Sequence, residues 1–235
     1  MLRGRLFTKC EREVITVYRI YRMAKLRKKN IIFDFDGTIA DTIPVMRTIA
    51  QNIANEGSFG LKLDEDTWEW VRGHHLLELP KKFGVPMYKV PGLILKGREQ
   101  LKKQIFTVPL CNGIRVLMDT LKNEGITYSI LSSSKRDMIQ QFLLKQEIAS
   151  YFTFVHSELN LFGKDKALIK LMRQHDFKPD ETVYVGDEVR DYEACAKINL
   201  DCISVTWGLN SRKALEGAGS TYVVDTTQEL LELII

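Results

Sequence analysis

Cysteine is scarce in this chain of 235 residues: Cys10, Cys111, Cys195 and Cys202 stand far apart, and no CxxC or Cys/His pairing accompanies them. That spacing excludes a zinc ribbon and a disulfide framework, and the expectation is buried, reduced thiols in a cytoplasmic protein. Proline, with 6 residues, and glycine, with 15, are too few for a collagen-like or low-complexity chain. No apolar run approaches the roughly eighteen residues that a membrane span needs. Nor does the start of the chain carry the continuous apolar stretch and small-residue cleavage site of a secretory signal. What is present is an ordinary globular composition, 45% hydrophobic and 27% charged, enough for one large domain or two small ones.

The formal net charge of +4 is unevenly spread. Residues 1–29 hold ten basic groups against only Glu11 and Glu13, a balance of +8, so the remainder carries −4. The basic character therefore belongs to the leader, and the body gives no support to nucleic-acid binding. Within the leader, Val14, Val17, Tyr18 and Tyr21 follow the spacing of an amphipathic helix. Two readings stay open: weak docking on an anionic membrane surface or a protein, or an appendage upstream of a start at Met23.

Beyond the leader, β-branched and aromatic runs alternate with helical patterns. Strands are expected at 30–35, 126–131, 151–155, 182–185 and 202–206, with a weaker one at 222–224, and helices near 112–124, 135–147, 164–175, 190–198 and 227–234. This alternation predicts an α/β fold with a doubly wound parallel sheet. The stretch 43–108 contains no convincing strand. Met46, Ile49, Ala50, Ile53 and Ala54 form one apolar helical stripe, and Trp68, Val71 and Leu76 belong to another helix. So long a helical stretch after the first strand exceeds an ordinary βα connection. The expected organisation is a basic extension (1–29), a core (30–42 and 109–235) and an inserted all-helical cap (43–108).

Ligands of open parallel sheets bind at the carboxyl ends of the strands. There the sequence places Asp34-Phe35-Asp36-Gly37-Thr38, then Ser132-Ser133-Ser134, then Gly186-Asp187 with Asp191. Four carboxylates (Asp34, Asp36, Asp187, Asp191) converging on one rim would repel one another and call for a divalent cation, and oxygen-only ligation suits Mg2+. With such an ion, the residues suit phosphate chemistry: Asp34 as nucleophile, Asp36 as general acid and base, Ser132 as hydrogen-bond donor and Lys164 as cation. Lys135 and Lys166 are rivals to Lys164. Ser133, Gly37 and Thr38 are candidate substrate contacts beside the acids.

These four motifs, in this order, resemble those of the haloacid dehalogenase superfamily, on its phosphatase side and in the phosphoglycolate-phosphatase-like branch with a helical cap. The resemblance runs from about Lys29 to the C-terminus and includes Asp41-Thr42 and Val205-Thr206-Trp207-Gly208. It implies a Rossmann-like core and a magnesium-dependent phosphatase working through an aspartyl-phosphate. Asp34 would be the nucleophile, Asp36 the acid/base, Ser132 and Lys164 the second- and third-motif residues, and Asp187 and Asp191 the metal-binding acids. The main-chain carbonyl at Asp36 would also bind the metal.

In the expected cap, Arg72, His74, His75, Lys81 and Lys82 form the most polar cluster. They are either a cation source for the non-reacting end of a substrate, led by Arg72, or solvated residues at a helix end. His156, His175 and Trp207 read as structural, and Arg190 as a partner of neighbouring acids. The expected partner is a small phosphorylated metabolite. Two alternatives remain: a mutase that returns the phosphoryl group to a rebound sugar, as a phosphoglucomutase does, and a non-catalytic scaffold presented by the basic N-terminal helix.

Overall fold

A computed structural model describes residues 25–57, 62–159 and 163–235. The expected leader helix, Cys10 and the alternative start at Met23 lie outside the described residues. Among those described, no helix is long and apolar enough to cross a membrane.

The described strands are β1 (Asn30–Phe33), β2 (Thr127–Ser132), β3 (Phe152–Ser157), β4 (Thr182–Gly186), β5 (Asp201–Val205) and β6 (Tyr222–Val224). They form one parallel sheet in the order β3-β2-β1-β4-β5-β6. The helices, in chain order, are α1 (Ile43–Glu56), α2 (Glu65–Arg72), α3 (Leu79–Lys82), α4 (Val90–Gln104), α5 (Ile114–Asn123), α6 (Arg136–Lys145), α7 (Lys164–Gln174), α8 (Val189–Ala196), α9 (Arg212–Gly217) and α10 (Thr227–Ile234). Alternation along the central strands divides the core into two layers, because successive side chains point to opposite faces. Ile31, Phe33, Val183, Val185, Ile203 and Val205 pack with α5, α6 and α10. On the other face, Ile32, Tyr184 and Cys202 pack with α7 and α8. The architecture is therefore the doubly wound α/β sheet expected from the sequence.

Helix periodicity fits these layers. On α5, Ile114, Leu117, Met118 and Leu121 are all buried, a single stripe at i, i+3, i+4 and i+7. On α6, Phe142 is fully buried and meets Phe35 edge to face, with ring centroids 5.1 Å apart. Phe35 stands between two candidate catalytic acids, so this contact ties the β1 exit to the core. Phe142→Ala is expected to cost about 3–5 kcal/mol of stability, measured by urea denaturation.

The described part of 43–108 consists of helices joined by turns and loops, with no strand. Pro44 starts α1 in the first turn, where its missing N–H is no loss. Asp64 caps α2 by accepting from the Thr67 amide at 3.0 Å, with Glu65 and Asp66 in the same first turn. Helix α4 lies along α1, and Gly97 approaches Ile49 and Ile53. Ile49 and Leu101 also join the main core cluster, so these helices stand over the sheet.

Two differences from the expected elements have local causes. β1 ends at Phe33 because Asp34 and Phe35 turn into a tight loop in which the Ile39 and Ala40 amides both donate to the Phe35 carbonyl. Helix α9, which the sequence pattern did not indicate, is only six residues long and rests on Ser211, whose hydroxyl accepts from the Ala214 amide.

Candidate active site

The chain builds outward from β1 to β2 and β3 on one side, then returns to β4 on the other. This leaves a crevice at the carboxyl ends of β1 and β4. Register sets Phe33 beside Ile130 and Val185, so the residues leaving β1, β2 and β4 reach one rim. Carboxylate oxygens of Asp34, Asp187 and Asp191 lie within 4.8 Å of one another, and all three residues are buried. Lys164 projects from the first residue of α7 into this group. Its Nζ donates to Asp34 Oδ2 at 2.7 Å and to Asp191 Oδ1 at 2.5 Å. It also lies over the Tyr184 ring, 5.1 Å from the centroid. Lys135 and Lys166, its rivals in the sequence, take no part in these bonds.

Each acid is held by donors at the strand exits: Asp34 and Asp191 by amides of their own loops, Asp187 by groups that follow β1 and β5. Asp34 Oδ1 accepts from the Phe35 amide at 2.7 Å. Asp187 Oδ1 accepts from the Thr38 hydroxyl at 2.8 Å and Oδ2 from the Leu209 amide at 2.7 Å. Asp191 Oδ2 accepts from the Glu188 amide at 3.2 Å. The packing around Asp187 requires glycine: a Cβ on Gly208 would lie 2.3 Å from it, and one on Gly37, whose φ is +71°, would lie 2.4 Å away.

Negative charge exceeds positive charge here. Burial raises Asp34 to about 7, although Lys164 pulls the other way. Burial, followed by the charges of Glu188, Asp34 and Asp191, drives Asp187 well above the carboxylate range. Burial also opposes the charge on Lys164, but Asp191 and Asp34 outweigh it and hold the lysine above its ordinary value. A bound cation would reverse the pressure on the acids, and an all-oxygen donor set suits a hard divalent ion. The three acids therefore fit a metal site.

Asp36 does not join this group through its carboxylate. Its Oδ2 accepts from the Ser134 hydroxyl at 2.5 Å, while its buried Oδ1 has no hydrogen-bond partner. Burial raises its affinity for a proton, opposed chiefly by the neighbouring Ser134 hydroxyl that donates to it. A cavity of about 340 Å³ opens beside Asp36 and is lined also by Ser133, Ser134, Glu188 and Arg190.

The remaining predicted contacts are distributed differently. Ser133 lines the cavity, whereas the Ser132 hydroxyl accepts from the Ser134 amide at 3.1 Å. The Gly37 amide is engaged by the Ala40 carbonyl and by Thr42 Oγ1, and the Thr38 hydroxyl by Asp187. Arg72 forms no ion pair with these acids: its guanidinium donates to the Leu209 and Thr206 carbonyls, which latches α2 to the core. Arg190 forms a two-pronged pair with Glu188, both contacts at 2.7 Å. Trp207, expected only to pack, donates its indole N–H to the Thr38 carbonyl at 3.2 Å. Sequence reasoning missed Ser134 and the Leu209 amide. Ser134 could have been found as the third member of its serine run, but a backbone amide carries no local signal.

Residues 31–205 match the sequence pattern of the family described as haloacid dehalogenase-like hydrolases. The chain is similar to a phosphoglycolate phosphatase of Synechococcus elongatus, 31% identical over 205 residues that cover 87% of this chain and 96% of that protein. It is 25% identical to a phosphoglycolate phosphatase of Vibrio parahaemolyticus over 88% of this chain and 96% of that one. Among solved structures, a predicted phosphatase from Clostridium acetobutylicum superposes with a TM-score of 0.75 at 25% identity, covering 87% of this chain and 97% of that one. A haloacid dehalogenase-like hydrolase from Streptococcus pneumoniae shares the fold, with a TM-score of 0.72 at 18% identity over 87% and 97% of the two chains.

Proposed function

The chain belongs to the haloacid dehalogenase-like hydrolase family, and on that premise we propose that it is a magnesium-dependent phosphatase acting on a small monoester, phosphoglycolate or a close analogue, through an aspartyl-phosphate. The observation that carries this reading is the pairing of a fixed Asp34, gripped by Lys164 at 2.7 Å, with an Asp36 that keeps one buried oxygen unpartnered beside a cavity.

Asp34 is oriented by the Phe35 amide and Lys164, so one rotamer of the nucleophile is held before substrate arrives. As the carboxylate attacks phosphorus, the ester oxygen leaves and Asp36 gives it a proton. A raised proton affinity supports Asp36 in that role. Deprotonated by that step, Asp36 then takes a proton from water as the water attacks the phosphoryl group on Asp34, which returns Asp34 free and releases phosphate. Lys164 remains between Asp34 and Asp191 throughout, and Ser133 offers its hydroxyl to the phosphoryl oxygens. Asp34, Asp187 and Asp191 would hold magnesium, which when bound supplies positive charge to the phosphoryl oxygens.

The apolar cavity wall supports hydrolysis of a small ester over transfer to a sugar. The buried free thiols of Cys111, Cys195 and Cys202 support a reducing, cytoplasmic setting. The direct test is release of inorganic phosphate from phosphoglycolate, abolished by EDTA and restored by added magnesium. No release from any of a broad panel of phosphomonoesters in the presence of magnesium would overturn the reading.

A further inference from the structure

The cavity beside Asp36 has two unlike halves. Its floor is the polar strand rim, but the wall contributed by residues 43–108 is aliphatic, with Ile49 and Ile53 from α1 and Leu93 and Ile94 from α4. Arg98, one turn further along α4, is the single charged side chain that this stretch adds to the described lining. Among the described residues one of its five N–H donors is used: Nη2 donates to the Leu159 carbonyl at 3.0 Å. No carboxylate among the described residues forms an ion pair with it. The other cations at the rim are engaged, Arg190 by Glu188 and Lys164 by Asp34 and Asp191. Arg98 nevertheless feels the site, since burial and the Arg190 charge weaken its hold on the proton and the Asp36 charge strengthens it.

We propose that Arg98 is the specificity-determining residue of this site, and that it selects phosphomonoesters bearing a carboxylate next to the phosphate. The assignment rests on the phosphatase reading above. A phosphoryl group at Asp34 places the neighbouring atoms of a short substrate in the cavity, where a guanidinium with unused donors matches a carboxylate through two parallel hydrogen bonds. The aliphatic wall reduces the access of water to that pair and so strengthens it. The same wall offers no partners for hydroxyls, so a polyhydroxylated sugar phosphate would bury polar groups unsatisfied. The role that the sequence suggested for Arg72 thus falls to a residue 26 positions further on, because Arg72 is spent on the Leu209 and Thr206 carbonyls.

The test compares phosphoglycolate with ethyl phosphate, an ester of matching length without the carboxylate, in the unsubstituted protein, Arg98→Gln and Arg98→Lys. The ratio of kcat/KM for phosphoglycolate to that for ethyl phosphate is expected to fall about tenfold or more in Arg98→Gln, chiefly through KM, with part of it kept by Arg98→Lys. An unchanged ratio, including a loss shared equally by both esters, would overturn the assignment while leaving the phosphatase reading intact. Hydrolysis of neither ester, nor of any other monoester, by the unsubstituted protein would overturn both.

Discussion

Asp34→Asn is expected to lower kcat by roughly a thousandfold or more, because an amide cannot displace the ester oxygen and no second carboxylate is positioned to substitute for it. Asp36 is turned toward Ser134, and Asp187 is locked between Thr38 and Leu209. Asparagine has nearly the same shape and can still accept from the Phe35 amide, so the urea midpoint should move far less than the rate. Acid-quenched unsubstituted protein should carry phosphate on the peptide containing Asp34, and the variant should carry none. Turnover within about tenfold of the unsubstituted protein would remove Asp34 as the nucleophile.

That prediction could be framed from the sequence because the information was local. Asp34 and Asp36 follow an apolar strand directly, and the period of two that buries Ile31 and Phe33 on one face and Ile32 on the other is written in consecutive letters. The parallel sheet was equally legible, since strands and helices alternate with short connections and only one right-handed winding accommodates them. Strand ends were less so: β1 stops at Phe33 because the following loop bonds to itself, a tertiary fact that the apolar letter at Phe35 conceals.

The interior of the site was legible in its acids but not in its cations and donors. Lys164 could not be separated from Lys135 and Lys166 until its two carboxylate contacts were seen. Arg72 and Arg98 lie on helices α2 and α4, and nothing in their neighbours says which reaches a carbonyl and which a cavity. Side-chain direction on a helix depends on how that helix is rotated over the sheet, which is set by contacts such as Gly97 against Ile53. Thr38 and Gly37 looked like substrate contacts because they adjoin the acids. The structure shows each of them against Asp187, Thr38 bonding it and Gly37 leaving room for it.

The excess of buried negative charge leads to the second large effect. Lys164→Met should both abolish most activity and lower stability by about 3–5 kcal/mol near neutral pH, the cost of leaving a buried ionic partner uncompensated. The stability loss should depend on pH in a defined direction. Asp34, whose ordinary value is 3.8, is already raised to about 7 by burial with Lys164 opposing that rise, and without the lysine it must rise further. A carboxyl whose folded pKa exceeds its unfolded one contributes stability that is fully present below the unfolded value and lost as pH climbs through the folded value. The Asp34 share of the gap between variant and unsubstituted protein should therefore be small below about pH 7, where that carboxyl is protonated in both folded proteins, and widen as pH rises above it. Urea denaturation at a series of pH values measures it. A gap that stayed constant or narrowed with rising pH would show that Lys164 contributes packing rather than charge, and would leave Asp34 without the cation that keeps it ionised for attack.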